Sequence, residues 1–110
     1  MTIEEEVLFI QSALSEEERL CQLAEEAAEL SQAALKYRRT LTEENPTPVT
    51  RSKAEKALLE ELGDVLGAAE VCYLYNTDWP AGPDFCNAEI DRCKNAKLRR
   101  WAKRLRARGN

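Results

Sequence analysis

The chain has 110 residues, a net charge of -4 and no histidine. That length makes one domain, and 44% hydrophobic with 33% charged residues is the composition of a soluble globular protein. The missing histidine excludes a Ser-His-Asp triad, a Cys-His dyad, His-ligated zinc, a haem His ligand and the Glu-x-x-His di-iron bundle.

The first residues, Met1-Thr-Ile-Glu-Glu-Glu6, are acidic and unlike a signal or transit peptide. No apolar run approaches the ~20 residues of a membrane span. A cytoplasmic protein without a membrane partner is expected. Cys21, Cys72, Cys86 and Cys93 form no C-x-x-C pair, so they are read as reduced, mostly buried small hydrophobes.

Four helices are predicted. The first covers residues 3–14, opened by a capping box, Thr2…Glu5, with Ile3, Val7, Ile10 and Leu14 on one face. A second box, Ser15…Glu18, opens a helix over 16–40 with the apolar line Leu20, Leu23, Ala27, Leu30, Ala34. The connection 42–50 carries Pro46 and Pro48 and reads as a loop. A third box, Ser52…Glu55, opens a helix over 53–76 with Leu58, Leu62, Val65, Leu66, Ala69 and Tyr73. This helix has a second apolar stripe, Ala68, Val71, Leu74 and Tyr75, which one small bundle can hardly bury, so a subunit interface is expected. Gly63 and Gly67 each cost about 1 kcal/mol in a helix interior, which close approach of a neighbouring helix would offset. Residues 77–83 break the chain, and Asp84 is placed to cap a fourth helix to about 106. No stretch alternates with period 2, so no sheet is expected. The whole chain reads as a single all-α domain.

Charge is divided unevenly. Residues 1–91 carry all 20 acids and a net of -13, whereas residues 92–110 carry nine cations and no acid. A basic end on an acidic body suits an anion. Cations near a helix C-terminus also suit its dipole, so a plain solvated helix end stays open.

Two acidic motifs lie inside the helices rather than at their first turns. Glu25-Glu26-Ala-Ala-Glu29 is an EExxE, and Glu61-Leu-Gly-Asp64 an ExxD. At about 100° per residue each places a pair, Glu26 with Glu29 and Glu61 with Asp64, on one side of its helix beside apolar positions. Two carboxylates 4 Å apart repel by about 4 kcal/mol at an effective dielectric near 20, so gathering four calls for protons or cations. Oxygen donors without His or Cys select Mg²⁺ or Mn²⁺, and magnesium commonly presents phosphate oxygens. A glutamate-rich solvated face explains the same spacing without a ligand, and both readings stand.

Leu23-Ala-Glu-Glu-Ala-Ala-Glu-Leu-Ser-Gln-Ala-Ala-Leu-Lys36, followed by Leu59-Glu-Glu-Leu-Gly-Asp-Val-Leu66, resembles the MazG-like branch of the all-α nucleoside triphosphate pyrophosphatases. That superfamily also holds dimeric dUTPases and phosphoribosyl-ATP pyrophosphohydrolase. The resemblance spans about residues 3–101. It implies a four-helix all-α protomer, one helix short and three long, assembling as a dimer or a dimer of dimers. It implies hydrolysis of a (deoxy)nucleoside triphosphate to the monophosphate and pyrophosphate, with Mg²⁺ (or Mn²⁺) as cofactor. By motif position Glu26, Glu29, Glu61 and Asp64 would be metal ligands and Glu25 the candidate general base, with an outer-shell role as its alternative. The last helix would contact phosphates through Lys94, Asn95, Lys97 and Arg100. The stretch between the motifs looks longer than in compact members. Trp79 or Phe9 could stack on a base, although a core or interface role suits each better. A nucleic acid is not expected as a partner. Two alternatives remain: a nucleic-acid-binding or regulatory module using residues 92–108, and a catalytically inactive family member.

Overall fold

The structure, a computed structural model, describes residues 2–42, 49–76 and 84–109. Four α-helices and no strand occur among them: α1 (Ile3–Ala13), α2 (Glu16–Thr40), α3 (Arg51–Val71) and α4 (Asn87–Ala107). None is long and apolar enough to cross a membrane. The expected loop falls partly, with Pro46 and Pro48, outside the described residues, as does the break at 77–83 with Trp79. The chain divides into two compact units, Met1–Cys72 with α1 to α3, and Tyr73–Asn110 with α4.

In the first unit, local chemistry starts the helices. Thr2 Oγ1 accepts from Glu5 N and Ser15 Oγ from Glu18 N, each at 3.1 Å, and both glutamates reach back to close complete capping boxes. The backbone N–H of Ser15 holds the Glu18 carboxyl below its ordinary value. The third box does not form. Thr50 caps α3, its hydroxyl accepting from Lys53 N at 3.2 Å, and Ser52 lies inside the helix. Glu55 instead accepts from the Tyr37 hydroxyl of α2 at 3.4 Å.

Tyr37 meets Glu55, while Arg19 Nη1 donates to Val71 O at 2.9 Å, so α2 and α3 run antiparallel. Arg19 and Gln11, whose amide donates to Glu70 O, bring side-chain donors to carbonyls at the end of α3. The helix stops there, five residues earlier than its apolar pattern suggests, because Tyr73 adopts φ 60°, the left-handed turn that ends helices.

The core of this unit is thin. Among the described residues only Ala33, Ala54, Ala68 and Val71 are buried apolar groups. Alanines at 33 and 54 let α2 and α3 lie close. The stripe expected to face a second subunit, Ala68 and Val71, is turned inward. Leu59, Leu62 and Leu66 are exposed instead, as are Leu20 and Leu35 on α2. The cysteine expectation fails in part: Cys21, Cys86 and Cys93 are exposed, and only Cys72 is half-buried. All four are free. Burial pushes the Cys72 thiol up, and it donates to Arg19 O.

The two helix glycines have no neighbour to accommodate. A Cβ at Gly63 or Gly67 would meet nothing within 4 Å, so among the described residues of the first unit none packs against them. Gly67→Ala therefore recovers the helix propensity that glycine forgoes, about 1 kcal/mol. The expected result is a rise in Tm of roughly 4–8 °C in a circular-dichroism melt.

The second unit is α4 with its lead-in. Asn87, not Asp84, organises the start. Its amide donates to Asn76 O at 2.6 Å, and its carbonyl accepts from Asn76 N at 2.9 Å. Cys86 occupies the cap position without a side-chain hydrogen bond. The Tyr73 and Phe85 rings lie 6.0 Å apart at 47°, and Cys86 N donates to Leu74 O.

Candidate metal centre

The antiparallel register brings the middle of α2 opposite the middle of α3. Glu26 and Glu29, one turn apart on α2, face Glu61 of α3. One carboxylate oxygen from each of the three lies within 4.8 Å of the others. Gln22, one turn before Glu26, donates its amide to Glu26 Oε1 at 2.9 Å and orients that carboxylate. The other oxygen, Glu26 Oε2, is buried and has no hydrogen-bond partner, and so is Glu61 Oε2. Buried carboxylate oxygens without partners are costly. Three converging carboxylates, two with an unpartnered buried oxygen, fit a hard divalent cation such as Mg²⁺ or Mn²⁺ and offer no soft donor for zinc.

The mutual repulsion is visible in Glu29. The Glu26 charge, and next the Glu61 charge, raise its carboxyl above the ordinary value. A carboxyl raised in the folded state contributes stability below its unfolded value, and that contribution is lost as pH rises through the folded value. Metal-free protein is therefore expected to lose stability as pH climbs from the ordinary carboxylate range through the raised Glu29 value. Glu29→Gln, neutral throughout, is expected to melt higher than wild type at pH 7 in EDTA and to match it at acid pH. Melting curves across pH check this, and equal Tm values at pH 7 would refute it.

The remaining acids of the two motifs lie elsewhere. Asp64 is outside the group of three and lines, with Glu26, a cavity of about 490 Å³. Val7, Ile10 and Leu14 of α1 and Gly67 give that cavity apolar walls, and Glu6, Arg19, Gln22 and Glu70 also line it. Glu25 is exposed, also outside the group, and borders a shallow groove with Glu17 and Cys21. Lys94, Asn95, Lys97 and Arg100 are exposed along α4 in the second unit. Phe9 is 59% exposed.

A second cavity, about 530 Å³, opens beside Glu29 and Glu61 between α2 and α3. Lys36 and Lys53 line it, and the reading of the sequence assigned neither a role. Spacing within a helix relates Lys36 to Glu29, but that Lys36 and Lys53 share one cavity depends on how α2 and α3 pass each other.

No family model, curated protein or solved structure matches the chain.

Proposed function

We propose that the protein is a Mg²⁺-dependent (deoxy)nucleoside triphosphate pyrophosphohydrolase of the all-α type, releasing a monophosphate and pyrophosphate. The observation that carries this reading is the convergence of Glu26, Glu29 and Glu61 from two antiparallel helices, with buried oxygens on two of them lacking any partner. The resemblance of the two acidic motifs to MazG-like enzymes points the same way.

Glu26, Glu29 and Glu61 hold the cation, and Gln22 fixes the Glu26 carboxylate. Asp64, beside them on the α1 side, is the fourth carboxylate of the motif pair. When bound, Mg²⁺ or Mn²⁺ supplies charge neutralisation for the triphosphate and an acidified water. Glu25 is the candidate acceptor of that water's proton. Lys94, Asn95, Lys97 and Arg100 are the candidates on α4 for phosphate oxygens. The cavity reaching from Asp64 to α1 is the candidate nucleoside site: Val7, Ile10 and Leu14 supply apolar wall for a base, and Arg19 and Gln22 are among the polar groups beside it.

The active form is a homodimer or a dimer of dimers. This rests on the leucines of α2 and α3 that the single chain leaves exposed.

The test is a panel of canonical and modified (d)NTPs incubated with Mg²⁺ or Mn²⁺ and scored for pyrophosphate and monophosphate. Metal-dependent release of both supports the assignment. No release from any nucleotide sinks it, and salt-sensitive nucleic-acid binding that survives loss of the acids would favour a binding module built on α4.

A further inference from the structure

The cavity between α2 and α3 is charged at both ends with opposite signs. Glu29 and Glu61 stand at one end, Lys36 and Lys53 at the other, and the floor between them includes Ala33 and Ala54. These alanines, 7% and 3% exposed, carry nothing that projects into the space. Lys36 follows Glu29 by seven residues on α2, and Lys53 precedes Glu61 by eight on α3. Because the helices are antiparallel, both offsets run towards the same end, about 10–12 Å at 1.5 Å per residue. Seven residues also return a side chain to the same helix face. Neither lysine makes an ion pair among the described residues, so the ammonium groups do not neutralise the acids.

From this arrangement we infer that Lys36 and Lys53 form an anion site for the diphosphate of a metal-bound nucleotide, with the metal end at Glu29 and Glu61. The inference rests on the metal-site reading above and adds two phosphate-binding residues outside both acidic motifs and α4. A bipolar cavity matches a metal–diphosphate complex, positive at the cation and negative at the far phosphate. It would repel a simple anion at one end and a simple cation at the other. One lysine from each helix grips the far phosphate from two sides, and the small floor leaves it room. The occupant is either the diphosphate still attached to the nucleotide or the pyrophosphate released from it.

The experiment uses the full chain. Mn²⁺ is titrated alone by calorimetry. Inorganic pyrophosphate and a non-hydrolysable α,β-imido deoxynucleoside triphosphate are then titrated separately at saturating Mn²⁺. Wild type is compared with Lys36→Gln, Lys53→Gln, the double Gln variant and the double Arg variant. Both lysines are exposed, and circular dichroism verifies that the helices persist.

The expected result is unchanged Mn²⁺ binding in all of them. Pyrophosphate affinity falls about tenfold for each Lys→Gln change, and the double Arg variant retains it. A matching loss for the imido nucleotide assigns the site to substrate as well as product, and a loss for pyrophosphate alone assigns it to product. Normal Mn²⁺ binding with both ligands held as tightly by the double Gln variant as by wild type overturns the lysine assignment alone. Wild type that binds no Mn²⁺ overturns the metal-site reading, and this inference with it.

Discussion

Glu61→Gln is expected to lower Mg²⁺-dependent pyrophosphate release by a thousandfold or more, about 4 kcal/mol in the barrier. Glu61 is the only α3 carboxylate in the converging group, and its Oε2 is buried without a partner. Replacing it with the amide keeps the volume but removes a charge and an anionic ligand. The α2 pair alone cannot surround an ion, because Glu26 and Glu29 share one helix side. The fold should tolerate the change, since relieving like-charge repulsion does not empty a core position. The measurement is a pair: steady-state release of pyrophosphate, and a thermal melt with and without Mn²⁺. Loss of turnover with an intact melt and no Mn²⁺-dependent rise in Tm is the expected signature. Full activity in Glu61→Gln would remove the metal centre from the mechanism. Glu4→Ala, in the first turn of α1, is the control and is expected to be silent.

The combined change Leu62→Glu with Leu66→Glu is expected to break the proposed homodimer or dimer of dimers into monomers. These leucines are 42% and 46% exposed on one side of α3. At 100° per residue, Leu59, Leu62 and Leu66 lie within one narrow sector, while Glu61, Val65 and Ala68 point the other way towards α2 and α1. Burying a leucine stabilises by about 1.5–3 kcal/mol. In a two-fold interface each position counts twice. Because both side chains are already about half-buried in the protomer, the two positions counted twice represent on the order of 4 kcal/mol, or a change in Kd of roughly 10³-fold. Introduced glutamates add the cost of burying charge. Light scattering after size exclusion, across a concentration series, checks this. A wild type that is monomeric at high micromolar concentration, or a variant with unchanged mass, would show that the leucine stripe is not the contact.

The two experiments are independent in design. The leucine stripe and the carboxylate cavity occupy different sides of α3, so a monomeric variant need not lose its cation. If the monomer keeps Mn²⁺ but loses turnover, the assembly contributes to the site beyond the three glutamates.

Much of the helical layout was legible in the sequence because its causes are local. Thr2 with Glu5, and Ser15 with Glu18, form a box from residues three apart, and no distant group competes. The start of α3 was not legible in the same way. Thr50 and Ser52 are equivalent local candidates, and the choice goes with Glu55, whose carboxylate meets the Tyr37 hydroxyl from α2. Asp84 is likewise an adequate cap by itself, yet Asn87 bridging both backbone groups of Asn76 organises that end. The apparent continuation of the third helix to residue 76 reflected apolar spacing alone. Spacing carries no information about Tyr73 turning left-handed where Arg19 and Gln11 serve the last carbonyls.

For the site, the sequence by itself determined that Glu26 sits beside Glu29 on one helix, because three residues make nearly one turn. It also determined that Glu61 shares its helix with Asp64, that no histidine competes for the ion, and that the α3 helix carries more apolar surface than one protomer buries. Tertiary structure alone decided which acids meet. The antiparallel register of α2 on α3, allowed by alanines at 33 and 54, sets Glu61 against Glu26 and Glu29 and leaves Asp64 facing the α1 cavity. The same register carries Lys36 and Lys53 to one end of a shared cavity. Their relation depends on two helices passing each other, and no spacing within either helix encodes it.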